Sequence, residues 1–192
     1  MKNTRKLVLT GIFSAIAFLL MLLEFPLAFI IPDFIKFDFS EIPALICGFS
    51  AGPLWGGAVC LIKNLIHLTM TTTGGAGELA NFLLGACFVV PAGFIYKFNR
   101  TKKGALMGCL AGSALGAIVS FPVNLFLTYP VYSKFLPIDA ILELYRMFVP
   151  QIETLNQALL IFNLPFTFVK FLIDAIITFF IYKRISPVLK GK

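Results

Sequence analysis

Lys170 lies in the middle of a long apolar stretch, with Thr167 about one helical turn before it and Asp174 one turn after it. A charge at the centre of a helix in lipid costs about 2.5–3.5 kcal/mol, so its presence requires a reason. One interpretation is an i,i+4 ion pair with Asp174 inside a helix bundle. The other is a ligand site in which Lys170 donates hydrogen bonds beside Asn81 and Asn124, whose amides both donate and accept.

A second lysine, Lys63, is followed by Asn64 and His67 in another apolar stretch. For Lys63 and Asn64, bonding in the protein interior and contact with a ligand both remain open. His67 lies nearer the end of its stretch, and we interpret it as structural. Because this is the only histidine and the carboxylates are dispersed, the ligand clusters that an intramembrane hydrolase needs are not evident.

The segment before the second apolar stretch is unusually aromatic for a loop, with Phe34, Phe37 and Phe39 close together. Two interpretations fit this pattern: an apolar lid over a flat ligand, and anchoring at the membrane interface. Asp38 and Glu41 flank a predicted helix start, where carboxylates are favourable, so capping is the simplest role for both.

The composition predicts an all-α integral membrane protein. Apolar residues make up 59% and charged residues 13% of the 192 residues, against roughly 45–50% and about 25% in soluble proteins. Long apolar stretches such as Leu7 to Leu23 and Gly104 to Leu127 approach or exceed the roughly 20 residues that a crossing helix needs. We expect one transmembrane domain over residues 1–192, in the plasma membrane.

The net charge of +7 comes largely from three segments that contain no acid and carry eleven of the sixteen basic residues. Cytoplasmic segments of membrane proteins are enriched in Lys and Arg. The positive charge therefore indicates which segments lie in the cytoplasm, and it is not a sign of nucleic-acid binding. Both termini are therefore predicted to be cytoplasmic. The basic residues of these segments are Lys2, Arg5, Lys6, Lys97, Arg100, Lys102, Lys103, Lys183, Arg184, Lys190 and Lys192.

Prolines, glycines and polar links divide the chain into six predicted membrane helices. The link 71–77 reads as a turn, and the prolines between residues 130 and 150 mark a long connection with one short amphipathic helix. Six crossings agree with two cytoplasmic termini. The predicted helices cover about residues 6–23, a shorter one from 41 that ends between 48 and 52 with Ser40 as N-cap, 54–70, 78–96, 104–128 and 157–185.

Small residues recur every four positions in two predicted helices. Gly104, Gly108, Gly112 and Gly116 form a run of four, which predicts a closely packed internal seam. Gly11 and Ala15 repeat the spacing in the first helix, where docking onto another protein and internal packing both remain open.

Short motifs spread along nearly the whole chain resemble the riboflavin-binding S component (RibU type) of energy-coupling-factor (ECF) transporters. The resemblance implies that the chain captures riboflavin, or flavin mononucleotide, at the outer side and has no other cofactor. It also implies that a transmembrane coupling protein and two ATPases complete the transporter. The motifs are Phe25-Pro26-Leu27, Asp38-Phe39-Ser40-Glu41-Ile42-Pro43, Lys63-Asn64-Leu65, Ala80-Asn81-Phe82-Leu83 and Pro165-Phe166 with Lys170.

The resemblance also implies roles for individual residues. Gly11 and Ala15 match a small-residue motif that faces the coupling protein, although alanine is usual where Gly11 stands. Thr167 stands where relatives carry asparagine, so one hydrogen bond to the ligand is expected to be weaker or replaced. The residues expected to contact the ligand are Phe34, Lys36, Phe37, Asp38, Asn64, Asn81, Asn124, Thr167 and Lys170.

Three alternatives remain at this stage. The first is an S component for another vitamin, such as thiamine or biotin. The second is an intramembrane enzyme, which the scattered carboxylates disfavour. The third is a channel or carrier that works alone, for which inverted repeats and broken helices would be the indication.

Overall fold

A computed structural model describes residues 3–190, apart from the side chains of Lys183 and of residues 185–190. Most of this part is helical, as predicted. Lys2 and Lys192, which contributed to the charge prediction, lie outside the described residues, as do the side chains of Lys183 and Lys190. The helices are α1 (Asn3–Leu22), α2 (Glu41–Ser50), α3 (Pro53–His67), α4 (Ala76–Phe98), α5 (Lys102–Val123), α6 (Tyr129–Tyr132), α7 (Ile138–Arg146), α8 (Leu155–Ala158) and α9 (Leu164–Lys190).

In the described part, four helical stretches are long and apolar enough to cross a membrane: Asn3–Leu22, Ala76–Phe98, Lys102–Tyr132 and Leu155–Tyr182. The second and third predicted helices are shorter. With 10 and 15 residues, α2 and α3 are about 15 and 22 Å long, below the roughly 30 Å of the hydrocarbon core. The prediction of a helical membrane protein is confirmed, and the number of crossings is not decided by helix length.

Two π-helical segments interrupt otherwise continuous helices. Asn124–Thr128 joins α5 to α6, and Leu159–Asn163 joins α8 to α9. The predicted end of helix five at Thr128 is therefore too early, because the helix continues through Pro130 to Tyr132. A proline clashes with the carbonyl four residues earlier in a regular helix, and the wider π turn relaxes that register.

The connection between α1 and α2, predicted as an outer loop, contains a small antiparallel hairpin. Strand β1 (Phe25–Pro26) pairs with β2 (Lys36–Phe37), with Phe25 opposite Phe37. Phe37 is buried and meets Phe166 of α9 edge-on, at 6.2 Å between ring centroids. Strands of two residues leave no readable alternation in the sequence, so the hairpin was not predicted.

Two glycines of the α5 run, Gly108 and Gly112, pack against the backbone of α4. A Cβ atom added to Gly108 would lie 2.7 Å from the Ala92 carbonyl oxygen, and one added to Gly112 would lie 2.3 Å from that of Phe88. Only glycine allows such close approach of two backbones. The prediction of an internal seam is confirmed.

Gly11 and Ala15 behave differently, because both are exposed on the outer face of α1. A Cβ atom on Gly11 would meet nothing within 4 Å. The buried side of α1 instead presents Phe13, Ser14 and Ala17. The small residues of α1 are thus not used for packing within this chain.

The first turn of α1 and the C-terminal parts of α4 and α9 meet at one end of the bundle. Arg5, Lys6, Lys97 and Tyr182 line a common cavity there. The two ends of the described chain therefore lie at the same end of the molecule. The hairpin, the start of α4 and the π segments lie at the other end, around a second cavity.

Candidate ligand site

A cavity of about 170 Å³ lies between the hairpin, α4 and the two π segments. Its walls come from segments that are distant in sequence, which only the packing of the bundle brings together. Seven of the nine residues expected to contact a ligand line this cavity: Phe34, Lys36, Asp38, Asn81, Asn124, Thr167 and Lys170.

The other two expected ligand residues lie behind the cavity wall. Phe37 packs on Phe166 and holds the hairpin against α9. The Asn64 amide donates to the Cys60 carbonyl at 2.8 Å and to Asn81 Oδ1 at 3.1 Å. Asn64 therefore reaches the cavity only through Asn81, whose side chain it orients.

Lys170 is buried and surrounded by carboxylates. Its Nζ donates to Glu41 Oε2, lies 3.3 Å from Asp38 Oδ2 and lies 3.8 Å from Asp174 Oδ2. The expected pair with Asp174 is thus the longest of the three contacts. The ammonium group is held mainly by residues at the start of α2, next to the cavity.

Lys63 is fully buried and belongs to the same cluster. Its Nζ donates to Glu41 Oε1 at 2.5 Å and also to Ser40 Oγ. For Lys63, the structure shows interior bonding, and this residue does not line the cavity. Glu41 therefore bridges two lysines on two other helices, a role that its expected capping function did not include.

Ser40 stands at the predicted N-cap position of α2, but its side chain makes no capping hydrogen bond. The hydroxyl donates to Asp38 Oδ1 instead, while it accepts from Lys63. A hydroxyl that donates and accepts satisfies both partners of a buried cluster, where an unmade hydrogen bond would be costly.

Asp38 is buried beside these cations. Burial alone would raise the pKa of Asp38, but the positive charges of Lys170 and Lys63 and two hydrogen bonds from Ser40 outweigh it and lower the pKa to about 2. Because the pKa of Asp38 is lower in the folded protein than in the unfolded chain, its ionised form stabilises the fold. This contribution is fully present above about pH 4 and is lost as the pH falls towards 2. Asp38 thus stays ionised at the cavity wall at neutral pH.

Polar residues in or just after each π segment form another part of the cavity wall. Asn124 Nδ2 donates to the Ser120 carbonyl at 2.9 Å, and Thr167 Oγ1 donates to the Asn163 carbonyl at 2.8 Å. π turns are rare and are frequent at functional sites. Here they turn amide and hydroxyl groups of two long helices towards one cavity.

Two tyrosines and Asn163 form a buried hydrogen-bonded group beside this wall. The hydroxyls of Tyr129 and Tyr145 bond to each other, and Tyr145 donates to Asn163 Oδ1 at 2.7 Å. Phe34 of the hairpin packs edge-on against both rings, at 6.3 and 5.7 Å between centroids. Sequence reasoning missed all three polar residues, although polar groups within apolar stretches were a usable signal.

An adjoining cavity of about 400 Å³ shares Phe34, Lys36, Asp38 and Asn81 with the first. Its far side contains His67, whose Nδ1 lies 3.0 Å from Glu78 Oε1. The hydroxyls of two threonines in the 71–77 turn also donate to Glu78. His67 thus ties α3 to α4, in line with its structural interpretation.

The family model for the substrate-specific component of ECF transporters matches residues 5–182. The chain belongs to this family. As an S component it is the substrate-specific part of a transporter and not an enzyme, which settles that alternative.

Individual relatives match over almost their whole length. The riboflavin transporter FmnP of Bacillus subtilis (strain 168) is 33% identical over 96% of this chain and 94% of its own length. The riboflavin transporter RibU of Staphylococcus aureus (strain TCH60) is 30% identical over 99% and 95%. A solved structure of the S component of a bacterial ECF transporter has a TM-score of 0.77 and 28% identity, covering 98% of this chain and 99% of that one.

Proposed function

We propose that this S component captures riboflavin on the outer side of the membrane and delivers it to an ATP-driven transporter. The main support is that polar residues from three helices line one cavity beside the aromatic ring of Phe34. These residues are Asn81, Asn124, Thr167 and Lys170. Amide, hydroxyl and ammonium groups suit a heterocyclic imide and a polyol chain, and an aromatic wall suits a flat ring. Relatives that carry the name riboflavin transporter support the same ligand.

The size of the cavity indicates how it receives a vitamin. Its 170 Å³ is below the roughly 300–1,000 Å³ typical of small-molecule sites. The adjoining 400 Å³ cavity shares six lining residues with it, and two of these, Phe34 and Lys36, belong to the hairpin segment. A shift of the hairpin would merge the two, and its closure would cover the bound ring.

Six crossings with both termini in the cytoplasm belong to the same proposal. The ends of the described chain meet at the end of the molecule that carries Lys97 and Arg100, and basic segments favour the cytoplasmic side. The short helices α2 and α3 follow each other around Gly52 and together account for the remaining two passes. The plasma membrane is the corresponding location.

The exposed face of α1 around Gly11 and Ala15 is proposed to dock onto the transmembrane coupling protein, which in turn is joined to two ATPases. Nothing within the chain packs on Gly11. Small residues four apart permit close approach of a partner helix in lipid.

The experiment that tests the ligand is purification followed by absorbance and calorimetric titration. A yellow protein, or one that binds added riboflavin with 1:1 stoichiometry, supports the proposal, and competition with flavin mononucleotide then ranks the two flavins. A colourless protein that ignores riboflavin but binds thiamine or biotin would replace riboflavin with that vitamin.

Asn124→Ala should weaken riboflavin binding by about 1–3 kcal/mol, because a buried polar partner loses its hydrogen bond. Lys170→Ala should weaken binding by a similar amount, but it also removes a partner of Glu41 and lowers stability. Titrations should therefore count only folded protein. Unchanged affinity in both variants would mean that the vitamin binds elsewhere.

Gly11→Leu should leave riboflavin affinity unchanged and reduce ATP-driven uptake in vesicles that contain the whole transporter. The physical reason is that a bulky side chain keeps the partner helix away, while space around Gly11 within this chain is open. Ala111→Leu adds similar bulk at an exposed position of α5, away from this face, and serves as the control. Full uptake by Gly11→Leu would argue against this docking face.

A further inference from the structure

Asp174 belongs to the buried charge cluster, although it does not line the ligand cavity. The cluster contains two ammonium groups and three carboxyl groups, and each of the five residues is at most 7% exposed. With every group ionised, the cluster would carry one negative charge in excess. A buried charge without compensation is costly, and such a group tends to become neutral instead. The members of the cluster are Lys63, Lys170, Asp38, Glu41 and Asp174.

The hydrogen bonds of the cluster show which carboxyl group gains least from being ionised. Glu41 accepts from both lysines, and Asp38 accepts from the backbone amide and the hydroxyl of Ser40. Neither oxygen of Asp174 has a hydrogen-bond partner among the described residues. Lys170 Nζ lies 3.8 Å from Asp174 Oδ2, which is too long for a hydrogen bond, and it is closer to Glu41 and Asp38. Asp174 is therefore the carboxyl group that is left over.

The central parts of the other long helices add no charge that could compensate Asp174. Residues 7–22 of α1, 79–96 of α4 and 104–123 of α5 contain no Lys, Arg, Asp or Glu. The four cysteine thiols on α2, α3, α4 and α5 are uncharged at neutral pH. The charged groups that act on Asp174 are two cations and two carboxylates, and these already balance each other. They are Lys170, Lys63, Asp38 and Glu41.

We propose that Asp174 is a proton-binding site inside the membrane, which carries a proton at neutral pH and makes the cluster of two lysines and three carboxyl groups electrically neutral. A neutral Asp174 does not compete for the ammonium group of Lys170. That group therefore stays with Glu41 and Asp38 at the wall of the ligand cavity. Loss of the proton would attract Lys170 Nζ towards Asp174, away from the cavity. Asp174 is thus a positioning residue for Lys170.

Infrared spectroscopy of the purified full-length protein tests the proposal directly. A protonated carboxyl group has a C=O stretch that is separate from the bands of ionised carboxylates and backbone amides. The detergent must contain no ester group, whose band would overlap. At neutral pH we expect one acid band that shifts when aspartate carries carbon-13 in its side-chain carboxyl group and that is absent from Asp174→Asn. A spectrum without an acid band, or a band that persists in Asp174→Asn, would overturn the proposal. The measurement needs no ligand, so its outcome is independent of which vitamin the protein carries.

Variants elsewhere in the cluster test whether charge balance sets the proton. Asp38→Asn removes one carboxylate, so Asp174 should become ionised and the acid band should disappear. Lys63→Met removes one cation, so a second acid band of similar intensity should appear. Glu143→Gln removes a carboxylate from an exposed pair with Arg146 and should leave the spectrum unchanged. Circular dichroism verifies which variants are folded, and an unchanged acid band in either folded variant of the cluster would overturn the charge balance.

Thermal unfolding separates a bound proton from an ionised Asp174. Asparagine has nearly the shape of a neutral aspartic acid, so Asp174→Asn should shift the Tm by about 2 °C or less. If Asp174 were an ionised partner of Lys170, the same substitution should lower the Tm by roughly 6 °C or more, and that result would overturn the proposal. A sodium ion in place of the proton would also overturn it. The sign of sodium would be a Tm that rises with sodium chloride and not with choline chloride, together with no acid band.

Discussion

Glu41→Gln should lower the free energy of unfolding by about 3–5 kcal/mol, since removing one partner of a buried ion pair leaves charge without compensation. Glu41 is almost fully buried and bonds both Lys63 and Lys170. Lys63 is fully buried, and Glu41 is its carboxylate partner in the described cluster. Unfolding by sodium dodecyl sulfate, followed by circular dichroism, measures the loss.

The matched control is Glu143→Gln, which removes the same charge from an exposed pair with Arg146. Exposed pairs contribute at most about 1 kcal/mol, so little change is expected. In the double variant Glu41→Gln/Lys63→Met the lysine is absent, and part of the lost stability should return. Strictly additive effects of the two substitutions would show that these side chains do not interact.

Gly112→Ala should destabilise the protein by about 3 kcal/mol, at the upper end of the range for overpacked sites. The added methyl group would lie 2.3 Å from the Phe88 carbonyl oxygen and would force α5 away from α4. A backbone atom cannot turn aside as a flexible side chain can. The same unfolding assay measures the effect.

Gly11→Ala is the control for this substitution, because it makes the same chemical change where no atom lies within 4 Å. No loss of stability is expected there, and a gain of up to about 1 kcal/mol is allowed because alanine favours a helix over glycine. If Gly112→Ala proved equally neutral, the packing of α4 against α5 would have to be looser than the structure shows.

The charge cluster links stability to the candidate site. Glu41 and Asp38 fix the ammonium group of Lys170 at the cavity wall before any ligand binds. Fixing a long side chain in advance reduces the entropy lost on binding. Substitutions in this cluster should therefore change both the stability of the bundle and the affinity for the vitamin.

The sequence alone determined the class of the protein and much of its local structure. Apolar stretches of sufficient length predict membrane helices because an unpaired backbone cannot lie in lipid. The glycine run of α5 predicted a packed seam, since small residues at that spacing have one main use in a membrane helix. That polar residues such as Asn124 and Lys170 would meet inside the bundle was also largely predictable, because polar groups are costly in apolar helices and need a reason.

Only the tertiary structure decided how these groups are paired. Glu41 and Lys170 are 129 residues apart, and nothing in the periodicity of either helix states which helices are neighbours. The hydrogen-bonded group of Tyr129, Tyr145 and Asn163 forms because a π turn changes the direction in which the Asn163 side chain points. The sequence pattern does not show where such a turn occurs. Sequence patterns fix which face of a helix is polar, since they are local. The partner of that face follows from how all helices pack at once.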